Sequence, residues 1–156
     1  TQDPPSSLTR TGSDAHQDAV GIRASQTAVE ALIAQEVASG IAPGNIILAG
    51  FSQGGAIVLH TALRQAAPLG GVLALSTYLP LAASTPDEMP AGARATPIFM
   101  AHGRSDPIIP FKLGADSRDA LQEFGYAVEW HEYAMPHSVC MEELRDIEVW
   151  LTERLV

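Results

Sequence analysis

A chain of 156 residues with 46% hydrophobic composition suits one globular domain with a real core and leaves little room for two. Its formal charge of −9, with Lys112 the single lysine, is opposite to the basic footprint of a nucleic-acid or anionic-membrane binder and argues against both partners. Cys140 stands alone, so no intramolecular disulfide can form, no Cys and His spacing resembles a zinc site, and a reducing, cytoplasmic setting is expected.

In chain order, the opening "TQDPPSSLTRTGSD", residues 1–14, is rich in Pro, Ser, Thr and Gly and reads as an arm ahead of one domain spanning 15–156. From Ala15 to Ser39 the residues Ile22, Val29, Leu32, Ile33 and Val37 fall on one helical face. Asp14 and Gln17 are spaced like a capping box, and Gly40 is placed to end the helix. "NIILA", ending at Ala49, follows a "PGN" turn and is apolar on both faces, as a buried parallel strand is. "QGGAIVLHTALRQAA" then reads as a helix that stops before Pro68, and "GGVLALST", from Gly70 to Thr77, as a second buried strand.

Pro80, Pro86 and Pro90 break the stretch from Leu79 to Thr96, which predicts a long loop with at most a helical turn. "PIFMAHG", from Pro97 to Gly103, is the third strand, and Phe111 to Phe124 a helix closed by Gly125. "AVEWHEYA", from Ala127 to Ala134, is the fourth strand, with one solvated face and an edge position. The tail from Met141 places Met141, Leu144, Ile147, Leu151 and Leu155 on one face of a helix that docks on the sheet. Alternating strands and helices imply parallel, right-handed crossovers: an α/β domain with a parallel sheet of about four strands and helices on both faces. No apolar stretch approaches the roughly 18 residues of a membrane span, so stable membrane insertion is not expected.

The chemistry concentrates at "GFSQGG", Gly50 to Gly55. A serine hydroxyl is a weak nucleophile and needs a base to take its proton as it attacks. Glycines at such a site permit a tight strand-to-helix turn, and the helix starting at Gln53 would aim its amide groups and positive dipole end toward Ser52. The plainer alternative is a Gly-rich turn whose serine only caps that helix. Partners for Ser52 occur where open α/β sheets gather their ligand groups, just past the carboxyl ends of strands. Asp106 follows the third strand in "HGRSDPIIP" and His137 the fourth in "MPHSV", giving the order serine, acid, histidine. Each taken alone has a mundane reading, a turn aspartate before proline or a loop histidine, but finding all three at strand ends makes coincidence a poor account. His102 lies close by and is expected to support the Asp106 loop. His16, His60 and His131 sit away from strand ends, and Cys140 reads as a packing residue.

With these residues in place the chain resembles the carboxylesterase and acyl-protein thioesterase family of small α/β-hydrolases. "AGFSQGGAIVLH", "GGVLALSTYLP", "HGRSDPIIP" and "HEYAMPHSV" look like that family's segments in its order, from about Ala15 to Leu155. The resemblance implies Ser52 as nucleophile, His137 as base and acid, and Asp106 as the residue orienting His137. It further implies the backbone amide of Gln53 as an oxyanion donor and the loop at Tyr78 and Leu79 as part of the acyl pocket, with no metal or organic cofactor. The expected activity is hydrolysis of short- to medium-chain esters, or thioesters, through an acyl-enzyme.

Two departures from the pattern carry expectations of their own. Pro136 stands where a glycine normally precedes the histidine, which would stiffen that loop and shift His137. Ahead of Thr11 nothing resembles the family's strand-bearing amino-terminal portion or its HG-type loop, the source of a second oxyanion donor. The "HG" at His102 and Gly103 comes after the third strand instead. The free edge at residues 46–49 is therefore expected to be covered by a second copy of the chain, by the arm Thr1 to Asp14, or by a separate amino-terminal piece. The alternative to an esterase is a poorly active or non-catalytic hydrolase-fold fragment that self-associates through this edge.

Overall fold

The computed structural model describes residues 12–155, so residues 1–11 of the expected arm lie outside it. Four parallel strands run side by side in chain order: β1 (Ile47–Phe51), β2 (Gly71–Leu75), β3 (Ile98–Gly103) and β4 (Val128–Tyr133). Between and around them run α1 (Gly12–Ala38), α2 (Gln53–Ala62), α3 (Thr85–Glu88), α4 (Phe111–Glu123) and α5 (Met141–Arg154). Among the described residues no helix is long and apolar enough to cross a membrane.

The sheet is covered on both faces, as expected, and strand periodicity decides which residue meets which cover. Val72, Ala74, Ile98 and Met100 point to one side, where they pack with Leu59 and Leu63 around α2, Ile33 of α1 and Leu121 of α4. Leu73, Phe99 and Ala101 point to the other, where Trp150 of α5, Tyr133 and Met135 complete a smaller core. α5 is seated there by a glycine: a β-carbon on Gly71 would lie 2.4 Å from the Trp150 ring. Only a bare backbone lets the indole lie so close to β2.

Several sequence expectations shift. α1 starts at Gly12, so Asp14 lies inside the helix and not at its cap. Gly40 ends it as expected, with φ of 105°. On α1, Ile33 is buried while Leu32 and Val37 are exposed. The stretch after Leu79 folds into short 3-10 turns at Ala82–Ser84 and Ala91–Ala95 flanking α3, more structure than a single turn. α5 is rotated from the expected face: Met141, Leu144 and Leu155 are exposed, and the buried side carries Trp150 and Glu143, with Ile147 and Leu151 partly covered. Trp150 is the largest fully buried side chain, and seating it sets the helix's rotation.

The two sheet edges differ in character. β4, the expected edge strand, carries Glu129, His131 and Glu132, polar and charged side chains that discourage further pairing. β1 is "ILAGF", without charge or proline, and among the described residues it pairs with β2 alone. Ala49 is exposed and Phe51 is 39% exposed, although their register partners Leu73 and Leu75 belong to the core.

Glu143 is fully buried, and neither of its carboxylate oxygens has a hydrogen-bond partner among the described residues. Burial, with the Asp146 carboxylate adding, pushes its carboxyl up from 4.5 to about 7. Between those values the folded chain keeps a proton that the unfolded chain has released, so stability falls as pH rises through the window. Glu143→Gln should remove this dependence. In urea denaturation at pH 8 it is expected to be more stable than wild type by on the order of 2 kcal/mol, with the gap closing toward pH 4.5. Equal midpoints at both pH values would refute the assignment.

Candidate active site

The turn from β1 into α2 is built on two close approaches. A β-carbon on Gly50 would lie 2.4 Å from the Gly54 carbonyl, and one on Gly55 would lie 2.7 Å from the Thr77 side chain. Gly54 is different: a β-carbon there meets nothing within 4 Å. Between them Ser52 adopts φ 56° and ψ −121°, a conformation that side-chain-bearing residues avoid at about 1–3 kcal/mol. The surroundings hold it there. Its N–H donates to Leu75 O at 2.8 Å, and its carbonyl accepts from Ala56 N–H at 3.1 Å and from the Thr77 hydroxyl at 2.6 Å.

The Ser52 side chain makes no capping bond to α2, which disposes of the helix-cap alternative. Its hydroxyl lies 3.0 Å from Nε2 of His137, whose Nδ1 lies 2.7 Å from Oδ2 of Asp106. Because an ionised carboxylate can only accept, Nδ1 carries the ring proton, and Nε2 is left to accept from Ser52. The other Asp106 oxygen accepts from the amides of Ile108 and Ile109 at 2.8 and 2.9 Å. Burial works to raise this carboxyl, but the bonds from His137, Ile109 and Ile108 outweigh it and hold the group below its ordinary value. Asp106 therefore stays charged, and the imidazole stays oriented.

The loops that carry the acid and the histidine interlock. Gly103, at the end of β3, packs so tightly on the histidine loop that a β-carbon would lie 2.3 Å from the carbonyls of Met135 and Pro136. Ser105 donates to Met135 O through both its amide and its hydroxyl. His102 bonds the carbonyl of Ile109 at 2.8 Å and stacks on Trp130, so it does brace the Asp106 loop. Pro136 does not displace the histidine: His137 reaches both partners, with the Phe51 ring 4.8 Å from its own.

Beside Ser52 opens a cleft of about 760 Å³, lined by α1, by the start of α2 including Gln53, and by Tyr78, Pro80 and Leu81. Tyr78 thus faces the cleft. Leu79 does not; its side chain is buried in the main core and its amide donates to Ser117, because the backbone turns inward between two cleft-lining neighbours. The amide of Gln53 belongs to the first turn of α2, where backbone N–H groups have no helical partner. Sequence reasoning missed Thr77 and Gly103, though both sit at the carboxyl ends of strands where site residues gather. It also missed α1 as a wall of the cleft, for which the pattern held no signal. Among the described residues no group of three or more His, Cys, Asp or Glu side chains is arranged to hold a metal ion.

Residues 7–154 match the family model described as Phospholipase/Carboxylesterase. The chain is 46% identical over 143 residues to acyl-protein thioesterase 1 of Neurospora crassa, covering 90% of this chain and 58% of that protein. To carboxylesterase SOBER1 of Arabidopsis thaliana it is 38% identical over 128 residues, 81% of this chain and 56% of the relative. The SOBER1 crystal structure superposes with a TM-score of 0.83 at 35% identity, over 86% of this chain and 65% of the other. The chain thus spans between 56% and 65% of the length of these relatives.

The glycine contacts predict unequal effects of small substitutions. Gly50→Ala is expected to lower unfolding stability by about 3 kcal/mol or prevent folding, since backbone lies in the way. Gly54→Ala should be neutral or stabilising by up to about 1 kcal/mol, because its β-carbon is unobstructed within a helix. Chemical denaturation of both variants checks the order, and a reversed order would contradict the packing described.

Proposed function

The chain belongs to the phospholipase/carboxylesterase family, and from that premise we propose that it is a serine hydrolase cleaving short- to medium-chain carboxylic esters, thioesters included. One observation carries the reading: an unbroken hydrogen-bonded line from Asp106 through His137 to the Ser52 hydroxyl, at 2.7 and 3.0 Å. Ser52 Oγ attacks the acyl carbon while His137 Nε2 takes its proton. Negative charge gathers on the former carbonyl oxygen, beside the amide of Gln53 at the positive end of α2. Asp106 stabilises the imidazolium, which then passes its proton to the departing alkoxide or thiolate, and the acyl group remains on Ser52. Water attacks in the same way, His137 again acting as base, and the acid departs. The names of relatives, an acyl-protein thioesterase and a carboxylesterase, favour this reaction class without fixing the leaving group.

The exposed edge of β1 favours a second reading, in which the chain pairs through that edge with another copy of itself or with a preceding segment, and activity depends on the pairing. An uncharged apolar strand is suited to β-augmentation, and a second donor for the oxyanion would come from whatever covers it. One donor is worth on the order of 10²–10³ in rate. The two readings differ in what limits turnover, not in the nucleophile.

Ser52→Ala should abolish p-nitrophenyl butyrate hydrolysis and labelling by a fluorophosphonate. Asp106→Asn should lower kcat by on the order of 10⁴, and the Ser52→Ala/His137→Ala double variant should be no worse than Ser52→Ala alone. Wild-type turnover in Ser52→Ala would rule the assignment out. For the second reading, sedimentation velocity should show self-association that Ala49→Lys weakens; a monomer at every concentration with residues 46–49 exposed would dismiss self-pairing.

A further inference from the structure

The peptide unit that joins Ser52 to Gln53 serves the turn with one end and the reaction with the other. Its carbonyl is the first acceptor of α2, bonded by the Ala56 amide at 3.1 Å. Its N–H, that of Gln53, is the donor offered to an oxyanion in the proposed reaction. The described residues contain no cis peptide, so the unit is planar and trans, and its C=O and N–H point in opposite directions. Whatever fixes the carbonyl therefore aims the amide.

Thr77 fixes the carbonyl. Its hydroxyl donates to Ser52 O at 2.6 Å, a second anchor beside the helical bond. By contrast the cap carbonyls of α4 and α5, those of Pro110 and Cys140, receive backbone amides alone among the described residues. The added donor occurs where the backbone is strained, and the ψ of −121° at Ser52 is the angle that turns this peptide. Thr77 is itself closely held. It is 1% exposed, and a β-carbon on Gly55 would lie 2.7 Å from its methyl and 2.8 Å from its own β-carbon, so only glycine lets Thr77 settle on the first turn of α2. On either side the chain is tied to other elements. Ser76, at φ 50°, donates its amide to Ala101 O of β3 at 2.8 Å, and the Leu79 amide donates to the Ser117 hydroxyl of α4 at 2.9 Å.

On the reading of Ser52 as the nucleophile, we propose that Thr77 is a positioning residue for the oxyanion donor: its hydroxyl, acting through the shared peptide plane, aims the Gln53 N–H at the oxygen on which charge gathers. A hydrogen bond at the carbonyl also polarises the peptide, so the N–H gains donor strength together with direction. Among the described residues the Thr77 hydroxyl bonds the Ser52 carbonyl and no triad side chain. Its loss therefore falls on charge stabilisation and leaves the line from Asp106 through His137 to Ser52 in place.

Thr77→Ser and Thr77→Ala both lack the methyl over Gly55 and differ from each other by the hydroxyl alone. Neither orphans the Ser52 carbonyl, which keeps its bond from Ala56, so both should fold. With p-nitrophenyl butyrate, kcat of Thr77→Ala should lie about tenfold below that of Thr77→Ser with KM equal, a part of the ~10²–10³ that a whole donor is worth. The inhibition constant of 1,1,1-trifluorohexan-2-one, whose adduct on Ser52 carries the oxyanion, should weaken by the same factor. The pH at half-maximal kcat, set by His137, should be the same in both. Equal kcat in the two variants overturns the proposal. So does a loss of kcat with ketone affinity unchanged or with a displaced pH profile, since either places the effect on the nucleophile or the base. If wild type hydrolyses no ester and binds no ketone, the hydrolase reading has failed, and the nitrogen-15 resonance of the Gln53 amide decides the role of Thr77. Displacement in Thr77→Ala relative to Thr77→Ser upholds its hold on that amide, and coincident resonances refute it.

Discussion

The structure depends on how closely β1 and α2 approach at Gly50. With the Gly54 carbonyl 2.4 Å from where a β-carbon would stand, any other residue there would push the helix off the strand. That contact forces the chain to reverse within Ser52, and the reversal sends the hydroxyl away from α2 toward His137. The strain at Ser52 is offset by bonds from its neighbours: Leu75 receives its amide, while Thr77 and Ala56 donate to its carbonyl. The end of β2 thereby fixes the dihedral angles of Ser52. A sharp turn becomes a site because the next strand holds it.

Parallel topology extends the same logic to the partners. All four strands end on one side, so the loops after β1, β3 and β4 meet there whatever their separation in sequence. Ser52 and His137 are 85 residues apart and still within hydrogen-bond reach. What sets the final distances is interlocking of the acid and histidine loops. Gly103 admits the Met135 and Pro136 carbonyls, Ser105 bonds one of them, and Ile108 and Ile109 saturate the Asp106 oxygen that His137 does not use. A carboxylate so satisfied keeps its charge despite burial, and a charged Asp106 keeps His137 oriented toward Ser52.

The strands were legible because β2 and β3 are apolar on both faces and short, a pattern with few other readings, and the meeting of Ser52, Asp106 and His137 was legible because each follows the carboxyl end of a strand. Helix rotation was harder to read. Periodicity in α5 is consistent with several faces, and the buried one was decided by the Trp150 ring finding bare backbone at Gly71, a contact across 79 residues. It carried Glu143 inside with it, where composition would place a carboxylate in water. Leu79 misled for a related reason: its neighbours Tyr78 and Pro80 do line the cleft, but alternation in an extended segment turns the residue between them toward the core. Such outcomes depend on partners far along the chain, which local pattern does not record.

The requirements of the reaction divide unevenly along the chain. The hydrogen-bonded line from Asp106 through His137 to Ser52 is held wholly between Gly50 and His137, by loops that brace one another. The amide of Gln53, the oxyanion donor of the proposed reaction, opens α2 directly after β1, and among the described residues β1 pairs on one side only. The contrast between the two edges gives this weight. β4 protects itself with Glu129, His131 and Glu132, while β1 has no such protection and leaves Ala49 and Phe51 exposed. A sheet with one charged edge and one apolar edge fits the second reading proposed above, extension on the apolar side. On that reading, extension and transition-state stabilisation are one structural question at β1, because the strand leads directly into Ser52 and α2.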